Sequence, residues 1–237
     1  MGNVRAIEEL TDVEQPAWPQ IRRLIEQSTV AWSTPAESDT GRETLYRLQI
    51  TARSPMGAVA LHCGAIFVED GWLRILGAGA TGLDDLAGVN GLGDPASTQG
   101  PPGHLVVAYD VLGGIWAVNG GDLPGEPGEV CYWGPDTLSW SPIGGGYGAF
   151  LEWALDGRTA DFYSELRWPD WEREVGRLNL NEGLSVFPPP WSEEGQDLGA
   201  ATRKAVPFHE LLAFNQDMAE QLGGADAGPA QLMVRGD

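Results

Sequence analysis

Three turn signals break up a run of apolar, β-rich segments in the middle of this chain: Asp70-Gly71, Leu112-Gly113-Gly114 and Gly134-Pro135-Asp136. Asp-Gly between apolar runs favours a hairpin, because both residues tolerate positive φ. Pro beside Asp presets a tight turn. Around these signals "GAVALHCGAIFVEDGWLRILGAG" reads as three strands, turning near Cys63-Gly64 and at Asp70-Gly71. "HLVVAYDVLGGIWAVNGG" gives two more strands, and "GEVCYWGPDTLSWSPIG" another pair. Residues 77–103, rich in Gly, Pro, Asp and Ser, form a long connection without periodicity.

Helical patterns flank this run. In "TDVEQPAWPQIRRLIEQS", Trp18, Ile21, Leu24 and Ile25 recur at helical spacing, with Pro16 and Pro19 at or before the first turn. "STPAESDTG" is a polar link and "RETLYRLQ" a short second helix. After the strands come "YGAFLEWALDG", "RTADFYSELRW" and "DWEREVGRL", then extended "LSVFPPPW" and a last helix in "VPFHELLAFNQDMAEQL". Strands in one block and helices in another predict an α+β fold: a mostly antiparallel sheet of about six or seven strands packed by helices. We expect one domain over residues 1–222 and a loose tail over 223–237. Trp72, Trp116, Phe150 and Trp153 should lie in the core.

The paired glycines at 113–114 and 120–121 invite a phosphate-loop reading. A phosphate loop leads from a strand into a helix, whose N-terminal N–H groups bind the anion. Here the first pair leads into "IWAV", and the second into an acidic loop. No Lys or Arg occurs between Arg74 and Arg158, and neither a Walker pattern nor a helix-opening GxGxxG is present. The glycines therefore serve tight turns and close backbone approach, and no cofactor is expected.

Net charge is −20, from 34 acidic and 14 basic residues. That opposes binding to nucleic acid and to anionic membranes, and suits a basic protein partner. No stretch approaches the roughly 20 apolar residues of a membrane span. Cys63 and Cys131 are the two cysteines, and no CxxC or Cys/His cluster exists. We expect no metal, and a cytoplasmic protein with free, buried thiols. His62, His104 and His209 stand singly, and no GxSxG elbow accompanies them. Trp168 and Trp171, three apart, either anchor the core or form an exposed pair.

"EQPAWPQI", "RSPMGAVA", "DGWLRILGAG", "VLGGIWAVNGG", "YWGPDTLSW", "GYGAFLEWALDG", "FYSELRWPDWEREV" and "RKAVPFHEL" resemble, in order, an uncharacterised bacterial family, DUF2625. "LGGIWAV", "EVCYWGPD" and "YGAFLEWAL" are also similar to the SUKH (Smi1/Knr4-like) superfamily. That second similarity implies a SUKH-like fold and an immunity or regulatory module that binds a protein.

Two functions are consistent with these features. The first is a non-enzymatic binding protein, contacting a basic partner through Asp110, Asp122, Glu126, Glu129 and Asp136, with Trp133 and Trp140 as anchors. The second is a small hydrolase or transferase, with a site near Asp110, Asn119 and the 77–103 loop.

Overall fold

The computed structural model describes residues 4–97 and 102–223. Seven strands form one antiparallel meander in sequence order, β1 to β7. They are β1 (Ala31–Pro35), β2 (Cys63–Val68), β3 (Leu73–Leu76), β4 (His104–Asp110), β5 (Ile115–Asn119), β6 (Val130–Trp133) and β7 (Trp140–Pro142). A separate hairpin pairs β8 (Glu182–Phe187) with β9 (Thr202–Pro207). Helices complete an α+β fold, as expected.

A meander alternates its connections between two ends. Residues 69–72, 111–114 and 134–139 turn at one end, called here the turn end. The 77–103 connection and the 120–129 loop lie at the other, the loop end. β4 has seven residues, so the two ends are roughly 20 Å apart at about 3.3 Å per residue.

The expected seventh strand is not where the sequence suggested it. "PMGAVALH" is helix α4 (Pro55–His62), not a strand turning at Cys63-Gly64. Ser54 caps it, accepting the Gly57 N–H at 3.0 Å, and Pro55 stands in its first turn. The helix is apolar all round and buried, so its sequence lacks the one-sided periodicity that separates helix from strand. The edge strand is instead β1, which begins just before the segment read as a polar link and takes its first three residues, Ser33 to Pro35. It pairs with β2 in the register Trp32↔Phe67, and the two rings stack at 4.3 Å.

Before the sheet come α1 (Ile7–Thr11), α2 (Trp18–Gln27) and α3 (Ser38–Leu48). α3 starts earlier than "RETLYRLQ" and absorbs part of the supposed link. α5 (Leu86–Val89) is a short turn of helix inside the 77–103 connection, capped by Asp85, which accepts the N–H groups of Ala87 and Gly88. α6 (Tyr147–Leu155) places Phe150 against Trp116 of β5, with centroids 5.0 Å apart.

The later helices are shorter than expected: α7 (Thr159–Phe162), a 3-10 turn at Ser164–Leu166, and α8 (Trp171–Val175). Trp168 and Trp171 both pack on Trp72, at 5.8 and 5.1 Å, so they are core contacts. α9 (Phe208–Gln221) closes the described chain. The tail expected over 223–237 lies outside the described residues, apart from Gly223.

One contiguous apolar core runs from Leu10 to Ala219. Trp72 and Trp116 are fully buried and Phe150 nearly so, whereas Trp153 is half-buried. β8 docks at the turn end, where the Leu184 N–H donates to the Val111 carbonyl at 2.7 Å. From α9, Asn215 Nδ2 donates to the Leu112 carbonyl at 3.3 Å.

Candidate functional site

Asp110 ends β4 at the turn end and is fully buried. Its Oδ1 accepts the backbone N–H groups of Leu112 and Gly114, both at 2.9 Å. Its Oδ2 accepts the Tyr132 hydroxyl at 2.7 Å. The nearby Tyr163 hydroxyl accepts the Trp116 Nε1–H at 2.9 Å. Burial raises the Asp110 pKa, and the hydrogen bonds and Asp136 modify that shift from opposite sides. The Tyr132 and Tyr163 phenols are pushed well above their ordinary value, first by burial and then by the Asp110 charge. Arg74, also buried, is lowered to about 10 by desolvation, against the pull of Asp110 and Glu182. It donates to the Gly71, Leu180 and Glu182 carbonyls.

This cluster explains the first glycine pair. A Cβ on Gly114 would stand 2.0 Å from Asp110 Oδ2 and 2.5 Å from the Tyr132 hydroxyl. Gly113 has φ +87°, and a Cβ there would meet Asn215 Nδ2 at 2.6 Å. The pair turns the chain around a carboxylate of the protein itself.

The residues named from sequence are dispersed. Asp110, Trp133 and Trp140 are buried, so none of them offers a contact surface. Asp122 and Glu126 are exposed and Glu129 half-exposed, all at the loop end. Asp136 is exposed at the turn end. The five acids thus do not share one face, because successive loops of a meander alternate ends. The parts of the alternative site are separated too. Asn119 and the 77–103 connection lie at the loop end, away from Asp110. The Asn119 side chain is spent on its own loop, accepting from Gly121 and Leu123 and donating to the Leu123 carbonyl.

Asp136 does line a cleft. A cavity of about 360 Å³ opens at the turn end between the β6–β7 turn, the 3-10 turn and residues 190–198. Its polar lining is Asp136, Thr137, Glu165 and Gln196, and its apolar lining is Leu166, Pro190, Trp191 and Leu198. The size and mixed lining match a ligand site. No basic side chain lines it. Neighbouring cations are engaged elsewhere. Arg167 pairs with Glu69 in a buried bridge and lies 4.2 Å over the Trp171 ring. Arg203 pairs with Glu174 at 3.0 Å and donates to the Leu198 carbonyl. Among the described residues, neither Asp136 nor Glu165 takes part in an ion pair. Asp136 stands out in the sequence at its turn, whereas Glu165, Trp191 and Gln196 do not. They come from three segments with no shared spacing, and no sequence signal joins them.

Other candidates carry less chemistry. A wider, more open groove of about 470 Å³ lies against the start of the 77–103 connection, but its Asp85 is committed to Arg47 and to the α5 cap. The histidines sit on separate elements: His62 ends α4 and stacks on Trp18 at 4.6 Å, His104 starts β4, and His209 is exposed on α9. Cys63 and Cys131 are free and buried, and burial pushes the Cys63 thiol up to about 12. Among the described residues, no group of three or more His, Cys, Asp or Glu could hold a metal ion. Among them too, no helix is long and apolar enough to cross a membrane.

The profile of the family described as "Protein of unknown function DUF2625" matches residues 7–211. The Escherichia coli (strain K12) protein YbfG, described as uncharacterised, is 36% identical over 223 residues, covering 92% of this chain and 98% of that protein. An uncharacterised protein of Haemophilus influenzae is 33% identical over 193 residues, covering 81% and 84%. No solved structure matches, so the likeness to the SUKH superfamily gains no support. The chain belongs to the DUF2625 family.

Proposed function

We propose that this member of the DUF2625 family is a non-enzymatic binding protein that takes a positively charged group of a partner into the turn-end cleft. One observation carries the reading. Asp136 and Glu165 line a single cleft beside Trp191, with no basic side chain against them. A guanidinium or ammonium entering there meets two carboxylates and an indole. Contact of a cation with an aromatic face contributes about 0.5–2 kcal/mol. The net charge of −20 adds a field that steers a basic partner at low salt and disfavours phosphate backbones. Asp122, Glu126 and Glu129 contribute to that field from the loop end without touching the bound group. Asp110 supports the turn and stays out of contact. Two free, buried thiols suit a cytoplasmic setting. An immunity role rests on the SUKH likeness alone, and the proposal stops at binding.

Panning a random displayed peptide library on the immobilised protein at low salt tests this reading. The expected result is enrichment of Lys- and Arg-bearing peptides, lost on the Asp136→Asn/Glu165→Gln variant. Enrichment of neutral or acidic peptides, or equal enrichment by that variant, would overturn it.

A further inference from the structure

The cleft does not end at Trp191. Pro190 and Trp191 line both the cleft and a small hollow that reaches Phe214 of α9. The Trp191 and Phe214 rings lie 5.7 Å apart. Phe214 is 44% exposed and Leu222 61% exposed, with half-buried Met218 between them. Leu222 keeps the helical register, since its N–H donates to the Met218 carbonyl at 2.9 Å. Residues four apart on a helix share a face. Phe214, Met218 and Leu222 therefore form an apolar ridge over successive turns, about 12 Å long at 1.5 Å per residue. Exposed apolar residues scattered singly are ordinary, but three in a row that run up to a cleft make a contact surface. Acids border this ridge. Asp217 and Glu220 are exposed on the same helix, and no Lys or Arg occurs over residues 190–198 or 205–222.

We propose that ridge and cleft together bind one amphipathic helix of a partner protein. Its apolar side chains, on successive turns, lie along Phe214, Met218 and Leu222. A Lys or Arg at the Trp191 end of the ridge enters the cleft. The inference rests on the cation reading of the cleft and adds the ridge to it. Spacing and backbone chemistry select a helix. The ridge residues recur about every 6 Å, the separation of side chains one turn apart on a second helix. An extended segment would leave its backbone N–H and C=O groups unpaired against α9, which offers no strand edge to pair with. Charge selects a basic partner over a second copy of this chain. A copy would bring a further charge of −20 against the acids beside the ridge, whereas cations flanking the partner's apolar face meet Asp217 and Glu220. Half-exposed Phe214, already backed by Trp191, supplies the aromatic anchor at the join.

The probe is a designed helical peptide of about 20 residues, long enough to hold a helix in water. It carries Leu on three successive turns and one Arg a turn beyond the last Leu, and its control has Ser at the three Leu positions. Fluorescence anisotropy of the labelled peptides reads binding. The Leu peptide should bind at least about tenfold tighter than the Ser peptide. Phe214→Ala should weaken it about tenfold, and Leu222→Ser, at an exposed position further from the cleft, about threefold. Trp32→Ala should leave it unchanged, although Trp32 is 48% exposed, because β1 is the opposite edge of the sheet from the β6–β7 turn. No binding of the Leu peptide to the wild-type protein, equal binding of the two peptides, or binding unchanged in both ridge variants would overturn the inference. A wild-type dimer in sedimentation that Leu222→Ser dissociates would also overturn it, assigning the ridge to a second copy. Retained binding in Asp136→Asn/Glu165→Gln, alongside loss in the ridge variants, would overturn the cleft reading and keep the ridge.

Discussion

The Tyr132 hydroxyl donates a 2.7 Å hydrogen bond to Oδ2 of Asp110, joining β6 to the end of β4 across the intervening β5 through a fully buried carboxylate. Oδ1 of the same carboxylate holds the backbone of the β4–β5 turn. Tyr132→Phe removes one donor and leaves a buried acceptor short of a partner. The expected cost is about 1–3 kcal/mol in urea unfolding. A change of a few tenths would show that the bond contributes little.

Asp110 should also leave a pH signature. Its folded-state pKa is raised, chiefly by burial, whereas an unfolded Asp titrates near ~3.9. The folded state therefore keeps this proton to higher pH than the unfolded chain does. The group's contribution to stability is greatest at low pH and falls as pH rises through that interval. The stability difference between wild type and Asp110→Asn should decline as pH is raised above about 4. A difference that is flat or grows with pH would contradict the assignment.

The glycine pair makes a sharper comparison. Gly114→Ala drives a methyl into Asp110 and Tyr132, and should cost more than about 3 kcal/mol or prevent folding. Gly91 also has positive φ, at +64°, but a Cβ there meets nothing within 4 Å. Gly91→Ala should cost only about 1 kcal/mol. Equal melting temperatures for the two variants would refute the close-approach argument.

Ion pairs should divide by burial. Arg167 and Glu69 have side chains 10% and 9% exposed, whereas Arg22 and Glu26 are 64% and 56% exposed. Arg167→Ala should cost about 3–5 kcal/mol, because Glu69 is left buried and unpaired. Arg22→Ala should cost under about 1 kcal/mol. Thermal unfolding of both variants provides the check.

Sequence and structure agree most closely where the chain turns tightly. Asp70-Gly71, Gly113-Gly114 and Gly134-Pro135-Asp136 each demand special backbone or a close approach, and each is a turn between neighbouring strands. Agreement fails where local pattern carries no direction. α4 is apolar on every side, and only its Ser54-Pro55 start marks it as helix. β1 is a short edge strand, Ala-Trp-Ser-Thr-Pro, without apolar alternation, defined by pairing with β2 rather than by its own residues. β9 is likewise defined by β8. The cleft is least legible of all. Asp136, Glu165 and Trp191 meet only because the β6–β7 turn, the 3-10 turn and the 190–198 segment converge at one end of the sheet.

That convergence is the central claim, and charge neutralisation at each end tests it directly. A Lys- or Arg-bearing peptide selected on the wild-type protein is titrated against two variants at low and high salt. Asp136→Asn/Glu165→Gln empties the cleft of charge, and Asp122→Asn/Glu126→Gln/Glu129→Gln neutralises the loop end. The account predicts at least about tenfold weaker binding for the first variant. For the second it predicts a lower association rate at low salt that converges on wild type at high salt. Loss of binding in the loop-end variant, with the cleft variant unaffected, would contradict it.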